Sequence, residues 1–294
     1  MFGWISMSLV ESLNAVSRPS VWGIVLLVII LIAVAVDVFA RRMSVKIAMC
    51  QIFILDGDRQ GNFIRIENAV AEAKSEGASM VCLPAAAILG WLNPDAHSSA
   101  CAIPGQDSDR LCGLARKYKT HLCIGIEEKE GDRLYNSAIL IDDRGNILLK
   151  YRQINTPPDL MNPPYTPGSD LAVVDTKLGR IGLLVCSDTH QEDILDRMAD
   201  LKPALLLAPY AYAEQEARWP EHGQQLQQVV ADAAMRTGAV VVGTNLIGRI
   251  TNGPWAGRVY GGQSVAVDGT GKIIVLAKDR DRDIRVVLTK RRMK

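Results

Sequence analysis

From Val45 onward, apolar residues follow two alternating rhythms. Short apolar runs, bounded by Gly, Pro, Asn or Asp, predict strands: VKIAMCQIFI, SMVCLP, HLCIGIEE, LYNSAILIDD, GNILLKYR, GRIGLLVC, PALLLAP, AVVVGTN, GGQSVAVD and KIIVLAK. Between them lie segments with helical spacing. In RQGNFIRIENAVAEAKSEGA, Phe63, Ile66, Val70 and Ala73 share one face, and Gly77 marks the end. DSDRLCGLARKYKT predicts a second helix capped by Asp107 or Ser108, and QEDILDRMADL and EHGQQLQQVVADAAMRTG predict two more. Turns are expected at Asp142–Gly145 and Asp268–Gly271. Interleaved strands and helices with hairpin-like pairs among them predict a layered α/β domain over residues 45–288, with helices on both faces of a mixed sheet system.

One stretch follows neither rhythm. Residues 21–40, VWGIVLLVIILIAVAVDVFA, carry a single charge, Asp37. About 20 apolar residues suffice to cross a bilayer core, so this run predicts one uncleaved transmembrane helix, with Ser20 as its N-cap. Only Arg18 precedes the run, whereas Arg41, Arg42 and Lys46 follow it. That asymmetry places the main domain on the cytoplasmic side. In residues 1–20, Phe2, Ile5, Leu9, Leu13 and Val16 fall at helical spacing, so an interfacial helix and a frayed tail both fit. Residues 289–294 form a basic tail that could touch anionic headgroups.

Charge and cysteines narrow the picture. Lys plus Arg number 33 against 32 Asp plus Glu, a balance that argues against nucleic acid as the main partner. The six cysteines make no CxxC pair or zinc-like spacing and predict buried free thiols. His97, His121 and His222 are scattered, so no metal and no cofactor is expected.

Candidate chemistry centres on Cys186. It ends an apolar strand and precedes a helix expected to begin near His190, where exposed N–H groups favour a thiolate. Beside it, VKIAMCQ with Asp56 or Asp58 and Asn62, GASMVCLP, LYNSAILIDDRGNILLKYR, GRIGLLVCSD, VVVGTN and YGGQSVAVDGTGKII follow one another in order. Together they resemble the nitrilase, or carbon–nitrogen hydrolase, superfamily. The resemblance implies a four-layer α-β-β-α sandwich, frequent pairing of sandwiches into oligomers, and a Glu–Lys–Cys triad. In that triad the glutamate is the general base, the cysteine attacks a nitrile or amide carbon, and the lysine stabilises the tetrahedral intermediate; a second glutamate usually supports the lysine.

Carried onto this sequence, the pattern is broken. Ala85 follows Pro84 where the glutamate is expected, and Gln153 follows Tyr151-Arg152 where the lysine is expected. Asp159, Leu160 and Met161 occupy the region of the second glutamate, before Pro167-Gly168. Cys186 and Asp188 are kept. Ala85 accepts no proton and Gln153 carries no charge. Losing a general base costs roughly 10²–10⁴ in rate, and losing an oxyanion donor roughly 3–4 kcal/mol of barrier.

The expected function is therefore a membrane-anchored pseudoenzyme: a binding, scaffold or accessory subunit, held as a homo-oligomer or within a membrane complex. The alternative is an amidase or nitrilase rebuilt around Cys186. His190, four residues on, could pair with the thiol, and Glu127 or Glu128 could reach the pocket.

Overall fold

The computed structural model describes residues 26–32 and 44–290. The chain divides into two compact units, residues 1–44 and 45–294. Of the first, residues 26–32 are helical, and all seven are exposed. Most of the run expected to span a membrane, the Ser20 cap, the segment 1–20 and most of the basic tail lie outside the described residues. Among the described residues no helix is long and apolar enough to cross a membrane.

The second unit is built on two six-stranded sheets. The first contains β1 (Ser44–Gln51), β2 (Met80–Cys82), β3 (His121–Glu130), β4 (Arg133–Ile141), β5 (Ile147–Arg152) and β15 (Asp283–Lys290), in the order β15-β1-β2-β3-β4-β5. The second contains β6 (Val173–Thr176), β7 (Gly179–Leu183), β8 (Leu205–Pro209), β10 (Val240–Thr244), β13 (Val265–Val267) and β14 (Ile273–Leu276), in the order β14-β13-β10-β8-β7-β6. A small third sheet joins β9 (Ala213–Glu214), β11 (Ile247–Arg249) and β12 (Val259–Gly261). β1, β2 and β3 run parallel, as do β7, β8 and β10, whereas β3-β4-β5 and β6-β7 are hairpins.

The large sheets face each other, β3 against β8 and β4 against β7. Most residues buried on these strands are apolar, with Glu127, Glu128, Asn136 and Ser137 among the exceptions, as expected of strands covered on both faces. α1 (Arg59–Ser75) and α3 (Gln106–Tyr118) pack together over the first sheet, and α4 (Glu192–Asp200) and α5 (Trp219–Thr237) over the second; α2 (Ala96–Ser99) is a single turn. The result is the expected α-β-β-α layering. The predicted turns form: Asp142 accepts from the amides of Arg144 and Asn146, and Asp268 from those of Thr270 and Lys272.

The structure adds one cap and corrects two expected element ends. α1 is capped by Asp58, which accepts from the Gly61 amide at 3.0 Å. α3 begins at Gln106 behind Gly105, and Ser108 reaches back to the Gly105 amide. Asp107 is engaged elsewhere, by Arg59. The strand expected to run to Cys186 stops at Leu183, since beyond it the chain must turn into a short 3-10 segment, Cys186–His190. Five of the six cysteines are buried and Cys101 is partly exposed; all are free.

Gly261 shows how tightly the third sheet is fitted. A Cβ there would lie 1.7 Å from Cε2 of the fully buried Trp219. Gly261→Ala is expected to destabilise the domain by about 1–3 kcal/mol through overpacking. A urea midpoint equal to that of the parent would contradict this.

Candidate functional site

The loop after β2 places the first position. Leu83 donates to the Cys123 carbonyl, Gly125 to that of Pro84, and Ala87 to that of Gly125, so the loop continues the sheet beside β3. Ala85 is fully buried, with its Cα so near β3 that a Cβ on Gly125 would sit 2.5 Å away. Its amide donates to the Tyr210 carbonyl at 3.1 Å, which ties it to the chain leaving β8.

The second position lies just past β5. Gln153 is 1% exposed, and its amide group is fully used. Its Oε1 accepts from Asn136 Nδ2 at 2.7 Å, while its Nε2 donates to Ser187 Oγ at 2.7 Å and to the Asn155 carbonyl at 3.1 Å. A neutral network, in which Asn136 Oδ1 alone has no partner among these groups, stands where the resemblance calls for a cation.

Cys186 opens the 3-10 segment with φ +48°, a left-handed conformation that costs a non-glycine residue energy and needs surrounding contacts to hold it. Thr189 Oγ1 supplies one such contact, donating to the Cys186 carbonyl at 2.8 Å and meeting the Tyr210 hydroxyl at 2.7 Å. Burial raises the thiol to about 11; the amides of Ala211 and Ser187 pull the other way, and Asp188 adds to the rise. These two amides favour the thiolate but do not offset desolvation.

The fold thus gathers Ala85, Gln153 and Cys186 around Tyr210, Ala211 and Ser187. Among the described residues no carboxylate is hydrogen-bonded to the thiol. Asp188 is occupied elsewhere: it accepts from Tyr151 Oη at 2.6 Å and from the amides of Ile154 and Asn155 at 3.1 and 2.6 Å. Burial still pushes it up to about 6. Met161 is buried, whereas Asp159 is exposed and Leu160 half-buried.

The remaining candidates are placed as follows. His190 is exposed, and its ring leans on Tyr212 at 5.8 Å, on the way to His222, which stacks on Tyr212 at 3.9 Å. Desolvation, then His222, lowers it. Among the described residues no hydrogen bond joins it to the thiol. Glu128 is structural, held by Lys150 at 2.7 Å, Arg152 at 2.6 Å and Ser137 at 2.6 Å. Glu127 turns under the loop after β2, where it accepts from the Leu89 amide at 3.3 Å. No group of three or more His, Cys, Asp or Glu among the described residues is arranged for a metal. Sequence reasoning missed Tyr210, Ala211, Ser187 and Asn136. Asn136 and Ser187 lie inside quoted motifs but were given no role there, Tyr210 and Ala211 lie in none, and only the pairing of distant strands brings the four to the site.

Against known proteins, the model of the carbon–nitrogen hydrolase family matches residues 46–291. A bifunctional nitrilase/nitrile hydratase from Nicotiana tabacum is 31% identical over 163 residues, covering 49% of this chain and 47% of that one. A chloroplastic omega-amidase from Arabidopsis thaliana is 27% identical over 204 residues, 63% of this chain and 53% of that one. The chain therefore spans about half the length of these curated relatives. Among solved structures, a cysteine-to-alanine mutant of an amidase of the nitrilase superfamily from Nesterenkonia matches with a TM-score of 0.73 at 23% identity, over 84% of this chain and 90% of that one. The relatives' names are those of nitrilases and amidases, which favours the hydrolase alternative over the scaffold reading. With the two facing sheets, the flanking helices and the cysteine turn in place, the match over residues 46–291 makes this chain a member of the carbon–nitrogen hydrolase family.

Proposed function

We propose that this chain is a carbon–nitrogen hydrolase-family module whose site no longer activates its thiol, and that it serves as a binding or accessory subunit. The carrying observation is the neutral side chain of Gln153 at the expected cation position, hydrogen-bonded through both its oxygen and its nitrogen. Ala85 at the expected base position and a thiol raised to about 11 point the same way. A neutral, buried site of this kind suits an uncharged amide-like group held by N–H donors better than a reaction that develops negative charge.

A second reading, amide or nitrile hydrolysis through Cys186, is favoured by the names of the relatives. The strained Cys186 turn and the two amides that favour its thiolate also suit it. Purified full-length protein offered small amides and nitriles separates the two. The first reading expects no ammonia or acid release beyond that of Cys186→Ala. Release that is abolished in Cys186→Ala would establish the second.

We also propose anchoring by residues 21–40, supported by the apolar run and by the exposed helical stretch 26–32, with the domain on the cytoplasmic side and self-association there. Deleting residues 1–42 is expected to move the protein from the membrane fraction to the supernatant. An unchanged distribution would refute the anchor, and a strictly monomeric domain in both forms would refute self-association.

A further inference from the structure

Five buried side-chain polar atoms among the described residues have no hydrogen-bond partner. Three of them, Asp56 Oδ1, Glu127 Oε1 and the Tyr165 hydroxyl, belong to residues that touch the turn at residues 89–91, and the Leu92 amide approaches the Tyr165 hydroxyl. Each residue of that turn touches the group. The Leu89 amide donates to Glu127 Oε2 at 3.3 Å. At Gly90, φ is +92° and a Cβ would lie 2.1 Å from Asp56 Oδ1, so only glycine lets the carboxylate in. The Trp91 amide donates to Tyr260 Oη at 3.2 Å, and the Trp91 ring stacks on Tyr165 at 5.3 Å. That leaves the Tyr260 hydroxyl proton with no acceptor among the described residues. Each of the four groups interacts electrostatically with the other three.

Such an arrangement is costly to leave empty, because a buried polar atom without a partner loses its hydration and gains nothing in return. Glu127 is 2% exposed. Asp56 and Glu127 make no salt bridge among the described residues, and Asp107, the other acid nearby, is already paired with Arg59. We propose that the turn at residues 89–91 roofs a buried site for a monovalent cation of the ammonium or potassium class, held by Asp56 Oδ1, Glu127 Oε1 and the phenol oxygens of Tyr165 and Tyr260. One positive charge suits the buried Glu127 carboxylate, the half-buried Asp56, whose Oδ2 is already held by Thr251 and the Asn252 amide, and two neutral oxygens. A divalent ion asks for six or more oxygens or a shell of retained waters. Burial raises both carboxylates, Glu127 to about 8, and a positive guest relieves that cost. The site does not depend on whether Cys186 turns anything over.

The test is thermal unfolding of the full-length protein at constant ionic strength in ammonium, potassium or tetramethylammonium chloride, the last being too large to enter. A saturable rise in midpoint with ammonium or potassium over tetramethylammonium is expected, and Glu127→Gln and Asp56→Asn should each remove it. Should those variants fail to fold, crystals of the parent protein soaked in thallium(I) give an independent reading: an anomalous peak among the four oxygens. Equal midpoints in all three salts, a rise that survives both substitutions, or thallium crystals without that peak would overturn the proposal and leave water as the occupant.

Discussion

Site-resolved alkylation of the native protein at neutral pH should leave Cys186 nearly untouched while the partly exposed Cys101 reacts. The thiol is raised from 9.0 to about 11, two pK units, which lowers its thiolate fraction roughly 100-fold. Its 8% exposure slows attack further. The family chemistry needs a thiolate at the moment of attack, and a base in reach supplies it without a low resting pKa. Ala85 offers none, and His190 turns toward Tyr212. Labelling should rise tenfold per pH unit through the alkaline range, as expected of an unassisted thiol. Fast labelling of Cys186 near neutrality, absent in Cys186→Ala, would show that some group does activate the sulfur. The hydrolase reading would then replace the silent one.

Asp188→Ala is expected to destabilise the domain by about 3 kcal/mol or more, since it strands three buried donors at roughly 1–3 kcal/mol each. Those donors are Tyr151 Oη and the amides of Ile154 and Asn155, and they fasten the segment after β5 to the cysteine turn. The pH dependence has a definite sign. Burial raises Asp188 from 3.8 to about 6 despite its donors. The folded state therefore holds this proton more tightly than the unfolded chain. The resulting stabilisation is complete below pH 3.8, declines as pH rises toward 6 and is gone above it. Two pK units correspond to about 3 kcal/mol. Asp188→Asn, which cannot ionise, should flatten that part of the stability profile. Urea midpoints measured from pH 3.5 to 7.5 on both variants would decide. A variant profile as steep as the parent's would place the titration elsewhere, and an Asp188→Ala midpoint near the parent's would mean the clamp carries little.

The two predictions probe different roles of neighbouring residues. Cys186 tests whether chemistry survives; Asp188 tests what holds the turn that presents it. The turn would persist in a silent protein, because its contacts also close the gap between the two large sheets. This is a physical reason for the cysteine turn and Asp188 to stay together whether or not the thiol reacts.

Much of this architecture was legible in the chain. The short apolar runs and the period-3.6 rhythm from Val45 onward determine which segments are strands and helices, since burial on two faces gives continuous runs and burial on one helix face gives that spacing. The absence of charge at Ala85 and Gln153 is a property of the residue types and needed no structure. Element ends were less legible. The strand before Cys186 stops at Leu183, and α3 starts one residue before the expected cap region, because ends are set by tertiary hydrogen bonds and not by propensity.

Only the tertiary structure decided three matters. It paired Gln153 with Asn136 and Ser187, residues 17 and 34 positions away, and so tied a neutral side chain into a buried hydrogen-bond network. It sent Glu127 under the turn at residues 89–91 and Glu128 into the grip of Lys150 and Arg152, although the two are adjacent in sequence. Successive strand residues point to opposite faces, so neighbours in the chain meet unrelated surroundings. And it buried Cys186 beyond the help of its two N–H partners, because desolvation depends on everything packed around a thiol and nothing in its local sequence reports that.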